Sequence, residues 1–482
     1  MEERRKTKII ASLGPSSEGR IGELAKYGVD VFRTNFSHAS HDWHRKVMEN
    51  VRRAAPDCGT MCDIQGPKIR TGAVSNPFVL KRGDEIEITP EKVQGTRDLL
   101  TINYPRLVND LDQGDVLFIN DGIIKLEVLN KSDNKLGCVV KSGGLVSSRK
   151  GCNIPSKDLS VSVPTEKDVK DLKLISKIDP EFLAISFVRE KEDVERIRDL
   201  LDDMGNSSIK LISKIERPSA VQGIDDIIGA SDGIMIARGD LGVEIPPQEV
   251  PEVQKKVIKK CNKEGVAAIV ATQMLESMVG NRIPTRAEAN DVFNAVLDGA
   301  DAVLLSNETS VGKYPVESVG MMSDIITHAE KMMPTRDPEY FDSTHQTMIE
   351  TMGHACFTMA REFSQIGYRG RILAITDTGY SARMISKYRP HLGIIGLTPD
   401  PRTARELKLT WGVDPVHSER IIGENVEERV QNGIMRAHSL GFLNGADHVL
   451  VVLSSIFMGD YGFYSSIYDM DEFLKRINRC KG

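Results

Sequence analysis

The chain has 482 residues, of which 40% are hydrophobic and 27% are charged, and its formal net charge is −6. That length exceeds what one hydrophobic core can serve, so we expect two to four domains. The charge gives no overall basic surface for nucleic acid, so we expect no nucleic-acid partner. The N-terminus lacks the apolar run of a signal peptide or a membrane anchor, so we expect no association with a membrane.

Eight short runs rich in β-branched residues alternate with stretches of helical length and period. The runs cover residues 8–13, 29–36, 59–65, 182–188, 210–216, 233–237, 267–273 and 302–306. The first helix is predicted to begin near Ser16 and Ser17, which are good N-caps, and to end near Gly28, a good C-cap. About eight strand–helix units over about 250 residues are typical of a (β/α)₈ barrel.

The third and fourth runs are separated by a segment of different character, residues 68–163. It holds short alternating runs, DEIEI, VLFI, IIKLEV and GCVV, broken by Gly, Asn and Asp. This pattern predicts an antiparallel β domain inserted after the third barrel strand, where it could act as a lid. The barrel itself is then predicted to comprise residues 1–67 and 164–338.

A third domain is predicted from residue 339 to residue 482. Its strand-like runs are RILAIT, LGIIGLT and HVLVVLSS, and they alternate with helix-like stretches such as SARMISKYR and TARELKL. This alternation indicates an α/β domain with an open parallel sheet.

Polar residues follow the barrel strands at the carboxyl end, where barrels of this type carry their active sites. In strand order these residues are Arg33, Asn35 and Ser37; Asp63; Ser186; Lys214 and Glu216; Arg238, Gly239 and Asp240; Thr272 and Gln273; and Ser306 and Glu308. Each alone could be an ordinary strand end. Their coincidence on one rim predicts a functional site.

Glu216 and Asp240 follow adjacent strands, and two carboxylates with substrate oxygens and water commonly hold Mg²⁺. Buried ion pairs with Lys214 and Arg238 are an equally good reading of the spacing. Lys214 lies two residues before Glu216, so both side chains are expected on one face of the strand. A protonated lysine there could stabilise an oxyanion, and the planar fork of Arg33 suits a phosphate group.

Ten stretches of the sequence resemble the pyruvate kinase family, and they extend over almost the whole chain. They are TKIIASLGPSS, FRTNFSH, GPKIRTG, SSRKGCNIP, ISKIERPSA, IARGDLGVEIP, ATQMLESM, PTRAEANDV, LDGADAVLLSNET and KYPVESV. The resemblance implies a barrel, a β lid and a C-terminal α/β domain. It also implies phosphoryl transfer from phosphoenolpyruvate to ADP with Mg²⁺, for which Mn²⁺ can substitute, in a homotetramer.

The resemblance also implies roles for individual residues. Arg33 and Lys214 would hold the transferring phosphoryl group, with Lys214 also neutralising the enolate oxygen. The implied Mg²⁺ ligands are Glu216 and Asp240. The substrate carboxylate would be bound by the amides of Gly239 and Asp240 and by the hydroxyl of Thr272. The implied nucleotide contacts are Asn35, Phe36, Ser37, His38, Arg70 and Lys150.

Lys68 occupies a position where many members of this family have Glu and need K⁺. The implied positions around that ion are Asn35, Ser37, Asp63 and the carbonyl of Ile64. Members with this lysine generally do not need K⁺, so the resemblance implies that the Lys68 ammonium supplies the charge. An ion pair between Lys68 and a lid carboxylate is the alternative.

Three further features leave their interpretation open. The proton for the enolate could come from Thr272, Ser306, Glu308 or a water held among them. The loop 376–381 resembles the phosphate-binding loop of effector sites in the family, although Asp377 adds a negative charge and the loop could serve no regulation. His38, His41 and His44 form an HxxHxxH pattern, but these positions drift around a helix and do not predict a metal site.

Two other functions compete with the pyruvate kinase reading. An Mg²⁺-dependent aldolase-type barrel would explain Glu216 and Asp240 but not the lid residues Arg70 and Lys150. A catalytically silent relative would be favoured by the loss of Lys214, Glu216 or Asp240, all of which are present. Seven cysteines without a CxxC pair favour free thiols and a cytoplasmic location.

Overall fold

The computed structural model describes residues 4–155, 163–333, 347–419, 425–457 and 460–480. Its first part supplies three barrel strands and two helices. They are β1 (Lys8–Ser12), α1 (Ile21–Lys26), β2 (Val31–Asn35), α2 (His41–Ala54) and β3 (Gly59–Ile64). The prediction for the start of α1 is wrong, because the hydroxyl of Ser17 accepts a hydrogen bond from Gly14 N (3.1 Å) within a preceding turn. The helix begins only at Ile21, although Gly28 does adopt a positive φ of 111° beyond its end.

The lid follows β3 and consists almost entirely of strands. Its elements are β4 (Phe78–Leu80), β5 (Glu85–Thr89), β6 (Leu99–Thr101), α3 (Leu107–Asp110), β7 (Val116–Ile119), β8 (Ile124–Ser132), β9 (Lys135–Ser142), β10 (Gly144–Val146) and β11 (Cys152–Asn153). The strands form one two-stranded sheet and one six-stranded sheet, as a β domain requires. Pairing is antiparallel except between β5 and β6. The loop 90–98 leads the chain from the end of β5 back towards its start, so that β6 can pair with it in parallel. A hydrogen bond from Thr101 Oγ1 to Glu91 O (2.7 Å) holds this loop.

The remaining five barrel strands follow the lid. They are β12 (Phe182–Ile185), β13 (Lys210–Ile215), β14 (Gly233–Ala237), β15 (Ala267–Ala271) and β16 (Ala302–Leu305). The helices around them are α4 (Glu166–Ile178), α5 (Lys191–Asp203), α6 (Pro218–Gln222), α7 (Ile224–Ala230), α8 (Arg238–Glu244), α9 (Val250–Glu264), α10 (Arg286–Asp298), α11 (Asn307–Ser310) and α12 (Pro315–Glu330). All eight strands pair in parallel and close into one barrel, which confirms the predicted fold. Buried side chains such as Ile10, Met61 and Ile212 fill its interior.

The C-terminal domain is α/β, as predicted. Its elements are α13 (Met348–Gln365), β17 (Gly370–Ile375), α14 (Tyr380–Ser386), β18 (Ile394–Thr398), α15 (Pro401–Glu406), β19 (Val413–His417), α16 (Val426–Ser439), β20 (His448–Phe457), β21 (Asp460–Asp469) and α17 (Met470–Cys480). The sheet order is β19-β18-β17-β20-β21, and four of its strands are parallel. The prediction of a wholly parallel sheet is wrong at β21, which pairs antiparallel with β20. Two residues separate these strands, and such a short connection joins antiparallel neighbours only.

Polar contacts attach this domain to the amino-terminal end of the barrel, opposite the rim where the strands end. Lys8 Nζ donates to Val413 O (2.7 Å), and Arg389 pairs with Asp301 (2.9 Å). The predicted domain edge at residue 339 lies outside the described residues. The six cysteines whose side chains are described are buried free thiols. Within the described residues, none of the helices combines the length and apolar character needed to cross a membrane.

Candidate active site

A cavity of about 630 Å³ opens at the carboxyl end of the barrel strands. Its lining includes the predicted site residues Arg33, Asn35, Ser37, His38, Lys68, Lys214, Glu216, Asp240, Thr272 and Ser306. These residues come from six different strand ends or the loops that follow them. The rim that the sequence predicted is therefore a single concave site.

Asp63 lies beneath the cavity and organises its two principal cations. The buried carboxylate accepts hydrogen bonds from Arg33 Nε (2.9 Å) and Lys214 Nζ (3.4 Å). Burial alone would raise the pKa of Asp63, but Lys214 and Arg33 together hold it below its usual range. Arg33 Nη1 also donates to Ser12 Oγ (2.7 Å). Asp63 thus remains ionised and fixes both cations.

Two further contacts constrain the ammonium group of Lys214. Its Nζ donates to Ser186 Oγ (2.7 Å) and lies 2.9 Å from Glu216 Oε1. Burial opposes the charged form, yet the carboxylates of Asp63 and Glu216 raise the pKa of Lys214 above its ordinary value. A lysine that stays protonated in a buried site is suited to stabilising negative charge.

Glu216 and Asp240 form the acidic side of the cavity. Glu216 Oε1 pairs with Lys214, and Oε2 accepts the N–H of Phe187 (2.9 Å), whose φ is +59°. Burial raises the pKa of Glu216 to about 7, with Lys214 opposing and Asp240 reinforcing the shift. The Asp240 carboxylate makes no hydrogen bond or ion pair with the described residues. A cation between the two carboxylates would favour the ionised form of Glu216 and would give Asp240 a partner of opposite charge.

The alternative of two buried ion pairs applies to only one of these carboxylates. Glu216 does pair with Lys214, but Arg238 pairs with Asp291 (2.7 Å) and donates to Thr272 O (2.8 Å). Asp240 is thereby left to face the cavity, whose lining it joins.

Thr272 is held in an uncommon backbone conformation where β15 ends. Its φ is +68°, and Arg238 secures its carbonyl. Gly239 N donates to Thr272 Oγ1 (2.7 Å), and a Cβ at position 239 would lie 3.2 Å from that oxygen. A strained threonine against a side-chain-free backbone is a feature expected of a binding site.

Of the three proton-donor candidates, Thr272 and Ser306 line the cavity but Glu308 does not. The buried Glu308 carboxylate accepts N–H groups from Leu275 (3.0 Å) and Ser306 (2.7 Å). It therefore ties together the loops after β15 and β16, and its geometry fits a positioning role.

The predicted nucleotide residues after β2 are divided between the cavity and the core. Asn35 Oδ1 accepts Ser37 N (2.9 Å), and both residues line the cavity with His38. Phe36 is buried and stacks on His44 with ring centroids 3.9 Å apart. In the HxxHxxH pattern, the His41 ring pairs with Asp171 (2.7 Å), and the His44 ring bonds to the carbonyl of His38 (2.9 Å).

The predicted lid residues Arg70 and Lys150 lie beside the cavity rather than in its lining. Arg70 Nη1 donates to Arg149 O (3.1 Å). Partial burial together with Arg70 and other nearby cations lowers the pKa of His38, so the lid cation is close enough to act on that ring.

Lys68 projects into the cavity from a constrained corner. Gly66 has a φ of +65°, its N–H donates to Asp168 Oδ1 (3.1 Å), and Lys68 N donates to Gly66 O (2.9 Å). A Cβ at Gly66 would lie 2.9 Å from Ser186 O, so the corner needs glycine. Lys68 forms no ion pair with any described lid carboxylate, which removes the support for the alternative reading.

Several lining residues were missed in the sequence, namely Pro15, Trp43, Asn307 and Val311. Trp43 lies on α2, and its Nε1 donates to Glu18 Oε2 (2.5 Å). Its closeness in sequence to the FSH stretch could have indicated that Trp43 lies at the site. Its position on an amphipathic helix made it resemble a packing residue.

The segment 376–381, called the loop 376–381 here, comprises the connection between β17 and α14 and the first two residues of α14. Gly379, with a φ of +75°, donates its N–H to Thr376 Oγ1 (3.0 Å). Asp377 Oδ1 lies 3.2 Å from Arg429 Nη2, so its negative charge is partly compensated.

Comparison with known proteins matches two domains of one family to this chain. Residues 4–319 match the barrel domain of pyruvate kinase, and residues 350–463 match its alpha/beta domain. Pyruvate kinase of Sporosarcina psychrophila is 38% identical over 480 residues, covering 95% of this chain and 79% of the relative. Pyruvate kinases of Staphylococcus epidermidis and Staphylococcus aureus are 37% identical over 469 residues with the same coverage. The chain belongs to the pyruvate kinase family.

Proposed function

We propose that this protein transfers the phosphoryl group of phosphoenolpyruvate to ADP, giving pyruvate and ATP in the cytoplasm. The observation that carries the proposal is the fixed ammonium of Lys214, held between Asp63 and Glu216 at the cavity rim. Phosphoryl transfer needs little covalent help from a protein, so positioning and positive charge provide most of the catalysis.

Arg33 and Lys214 are the proposed cations for the transferring group. Both are held by Asp63, so they present their donors without reorganisation when substrate arrives. The fork of Arg33 binds phosphoryl oxygens, and Lys214 neutralises the negative charge that develops on the enolate oxygen. Ser186 restrains Lys214 in that position.

The proposed Mg²⁺ ligands are Glu216 and Asp240. The donor set suits this hard cation, because a buried carboxylate lies beside a second one that has no ion pair with the described residues. Bound Mg²⁺, or Mn²⁺ in its place, would supply charge neutralisation and orientation for the phosphoryl oxygens. The chain's own contribution is to place both carboxylates in the lining of one cavity.

The substrate carboxylate is proposed to bind at Gly239, Asp240 and Thr272. The Thr272 hydroxyl accepts the Gly239 N–H, so two of the groups proposed to bind the carboxylate are already held next to one another. Protonation of the enolate is then assigned to the face occupied by Thr272 and Ser306, through one of these hydroxyls or a water between them, since Glu308 lies outside the lining.

ADP is proposed to contact Asn35, Ser37 and His38 in the cavity, with Arg70 and Lys150 arriving from the lid. Phe36 supports these residues from the core through its stacking on His44. Because the lid residues lie beside the cavity, the proposal includes closure of the lid over bound nucleotide.

Lys68 is proposed to replace K⁺ at this site. Its side chain lines the same cavity as Asn35 and Ser37, and the Gly66 corner restricts the direction of its stem. A tethered ammonium brings positive charge without the cost of binding an ion from solution.

Two further proposals concern assembly and regulation. A homotetramer is proposed from family membership. A phosphorylated effector is proposed to bind at the loop 376–381, where Thr376 and the Gly379 turn provide hydroxyl and amide groups and Arg429 offsets Asp377. Dependence of the substrate saturation curve on sugar phosphates or AMP is the test, and an unchanged curve would make the loop vestigial.

A coupled assay with phosphoenolpyruvate, ADP and Mg²⁺ tests the main function. Pyruvate should form only when ADP is present, at one equivalent per ATP. Product formation without ADP would favour an aldolase-type or hydrolytic barrel, and no turnover would favour a silent relative.

A further inference from the structure

A second cavity of about 630 Å³ lies between the start of the chain, the end of α12 and the C-terminal domain. Its lining contains six basic residues, namely Arg4, Arg5, Lys6, Lys331, Arg369 and Arg371. Among the residues that the structure describes, its acidic lining residues are Asp414 and Asp447. Such an excess of positive charge is notable in a chain whose formal net charge is −6.

Both carboxylates are engaged in contacts within the protein. Asp414 accepts a hydrogen bond from Arg371 Nη1 (2.6 Å), and its other oxygen is 3.9 Å from Arg4 Nη1. Asp447 is buried and accepts the backbone N–H of Asn444 (2.6 Å). One carboxylate is therefore shared by two arginines, and the other caps a turn.

Two of the six basic residues already have partners within the protein. Arg5 pairs with Asp30 (2.7 Å), and Lys6 Nζ donates to His391 O (2.7 Å). Lys331 and Arg369, by contrast, are exposed and form no ion pair with the described part of the chain. Their charges remain available to a ligand, whereas Arg4 shares Asp414 with Arg371 through a longer contact of 3.9 Å.

Arg371 is a largely buried arginine in the wall of the cleft. The Arg371 side chain is 11% exposed and fixed by Asp414. Position 393 is a glycine, and a Cβ there would lie 3.1 Å from Arg371 Nη1. Arginine forks match the geometry of phosphate oxygens, and a volume of this size is typical of small-molecule sites.

We propose that this cleft binds a small molecule that carries at least two phosphate charges. Arg371 and Arg369 would hold it from the C-terminal domain, and Arg4 and Lys331 from the barrel side, so that the ligand joins the two. The cleft shares no lining residue with the catalytic cavity or with the loop 376–381. It is a separate site, and it does not depend on the proposed reaction.

Calorimetric titration of the full-length protein tests the proposal, with inorganic pyrophosphate in Mg²⁺-free buffer at constant ionic strength. A second titration uses propane-1,3-diol bisphosphate, which carries similar charges on an organic spacer. The double variant Lys331→Ala/Arg369→Ala should bind at least one of these probes about tenfold or more weakly than the wild type. Both replaced side chains are exposed, so the fold and the basal activity should be retained.

Lys173→Ala is the matched control, because Lys173 is an exposed lysine on α4, away from the cleft. It should bind both probes like the wild type. Equal binding by the double variant and the wild type would overturn the proposal, since the catalytic cavity would then account for the signal. Absence of binding of either probe to the wild type, or an equal loss in Lys173→Ala, would overturn it too.

Discussion

Ser186 joins Lys214 to Asp63, accepting a hydrogen bond from Lys214 Nζ (2.7 Å) and donating to Asp63 Oδ1 (3.3 Å). The lysine and the aspartate also interact directly at 3.4 Å. The hydroxyl thus bridges the two charged groups, whose direct contact is long, and links them in one hydrogen-bonded network. Such a network, together with the ion pair to Glu216 (2.9 Å), positions the ammonium group.

Ser186→Ala should lower kcat while leaving the phosphoenolpyruvate KM nearly unchanged. The loss of one hydrogen bond to a charged group costs about 1.5–3 kcal/mol, or about ten- to 150-fold in rate. Ser213→Ala is the control, because its hydroxyl bonds to Ser231 (2.7 Å) away from the site. A Ser186→Ala variant with wild-type kcat would show that Ser186 does not position Lys214.

Asp240→Asn should raise the Mg²⁺ concentration needed for half-maximal activity. An amide lacks the charge that makes a carboxylate a good Mg²⁺ ligand, so we expect a weakening of about tenfold or more. Titration of Mn²⁺ into the protein, followed by electron paramagnetic resonance, measures the same loss without turnover. Asp226→Asn, which alters an exposed carboxylate, should leave both values unchanged. Unaltered metal affinity in Asp240→Asn would remove this residue from the metal site.

Lys68→Glu should create a K⁺ requirement in an enzyme that otherwise needs none. The wild type should be fully active in tetramethylammonium buffer, because Lys68 already places a charge in the cavity. For the variant we expect activation by K⁺ of about tenfold or more, which corresponds to about 1.4 kcal/mol of barrier. Strong activation of the wild type by K⁺ at constant ionic strength would contradict the proposal.

Asp301→Ala should destabilise the junction between the barrel and the C-terminal domain. Arg389 is 3% exposed, and it would lose its carboxylate partner while still buried. Removing one partner of such a pair costs about 3–5 kcal/mol. Asp179→Asn is the control, since its pair with Arg402 leaves Asp179 54% exposed and should contribute less than about 1 kcal/mol. Urea unfolding followed by tryptophan fluorescence measures both, and equal midpoints would contradict the expectation.

The sequence was sufficient where side-chain direction follows from local geometry. Lys214 and Glu216 were expected on one face because strand side chains alternate, and their atoms are in contact. The barrel could be predicted because eight apolar runs alternate with helices of similar length. Sequence spacing could not distinguish a metal site from two buried ion pairs, because it does not show that Arg238 pairs with Asp291 rather than with Asp240.

Other features depend on information that local pattern lacks. Apolar periodicity identifies a strand but not its direction, so the antiparallel β21 was missed. The hydroxyl of Ser17 was assigned to a helix N-cap, whereas it stabilises the turn before α1. Trp43 enters the cavity from α2, and only tertiary packing brings it there.

Transfer of labelled phosphate tests the central claim most directly. Phosphoenolpyruvate labelled with ³²P should pass its label to ADP, so that the label appears in ATP and Mg²⁺ is required. Lys214→Met should reduce the transfer rate by about 10²–10³, because a preorganised cation at a developing oxyanion is lost. Lys210→Met, at the opposite end of the same strand, should transfer label like the wild type. Label released as inorganic phosphate, or a Lys214→Met rate within a few-fold of the wild type, would contradict the account.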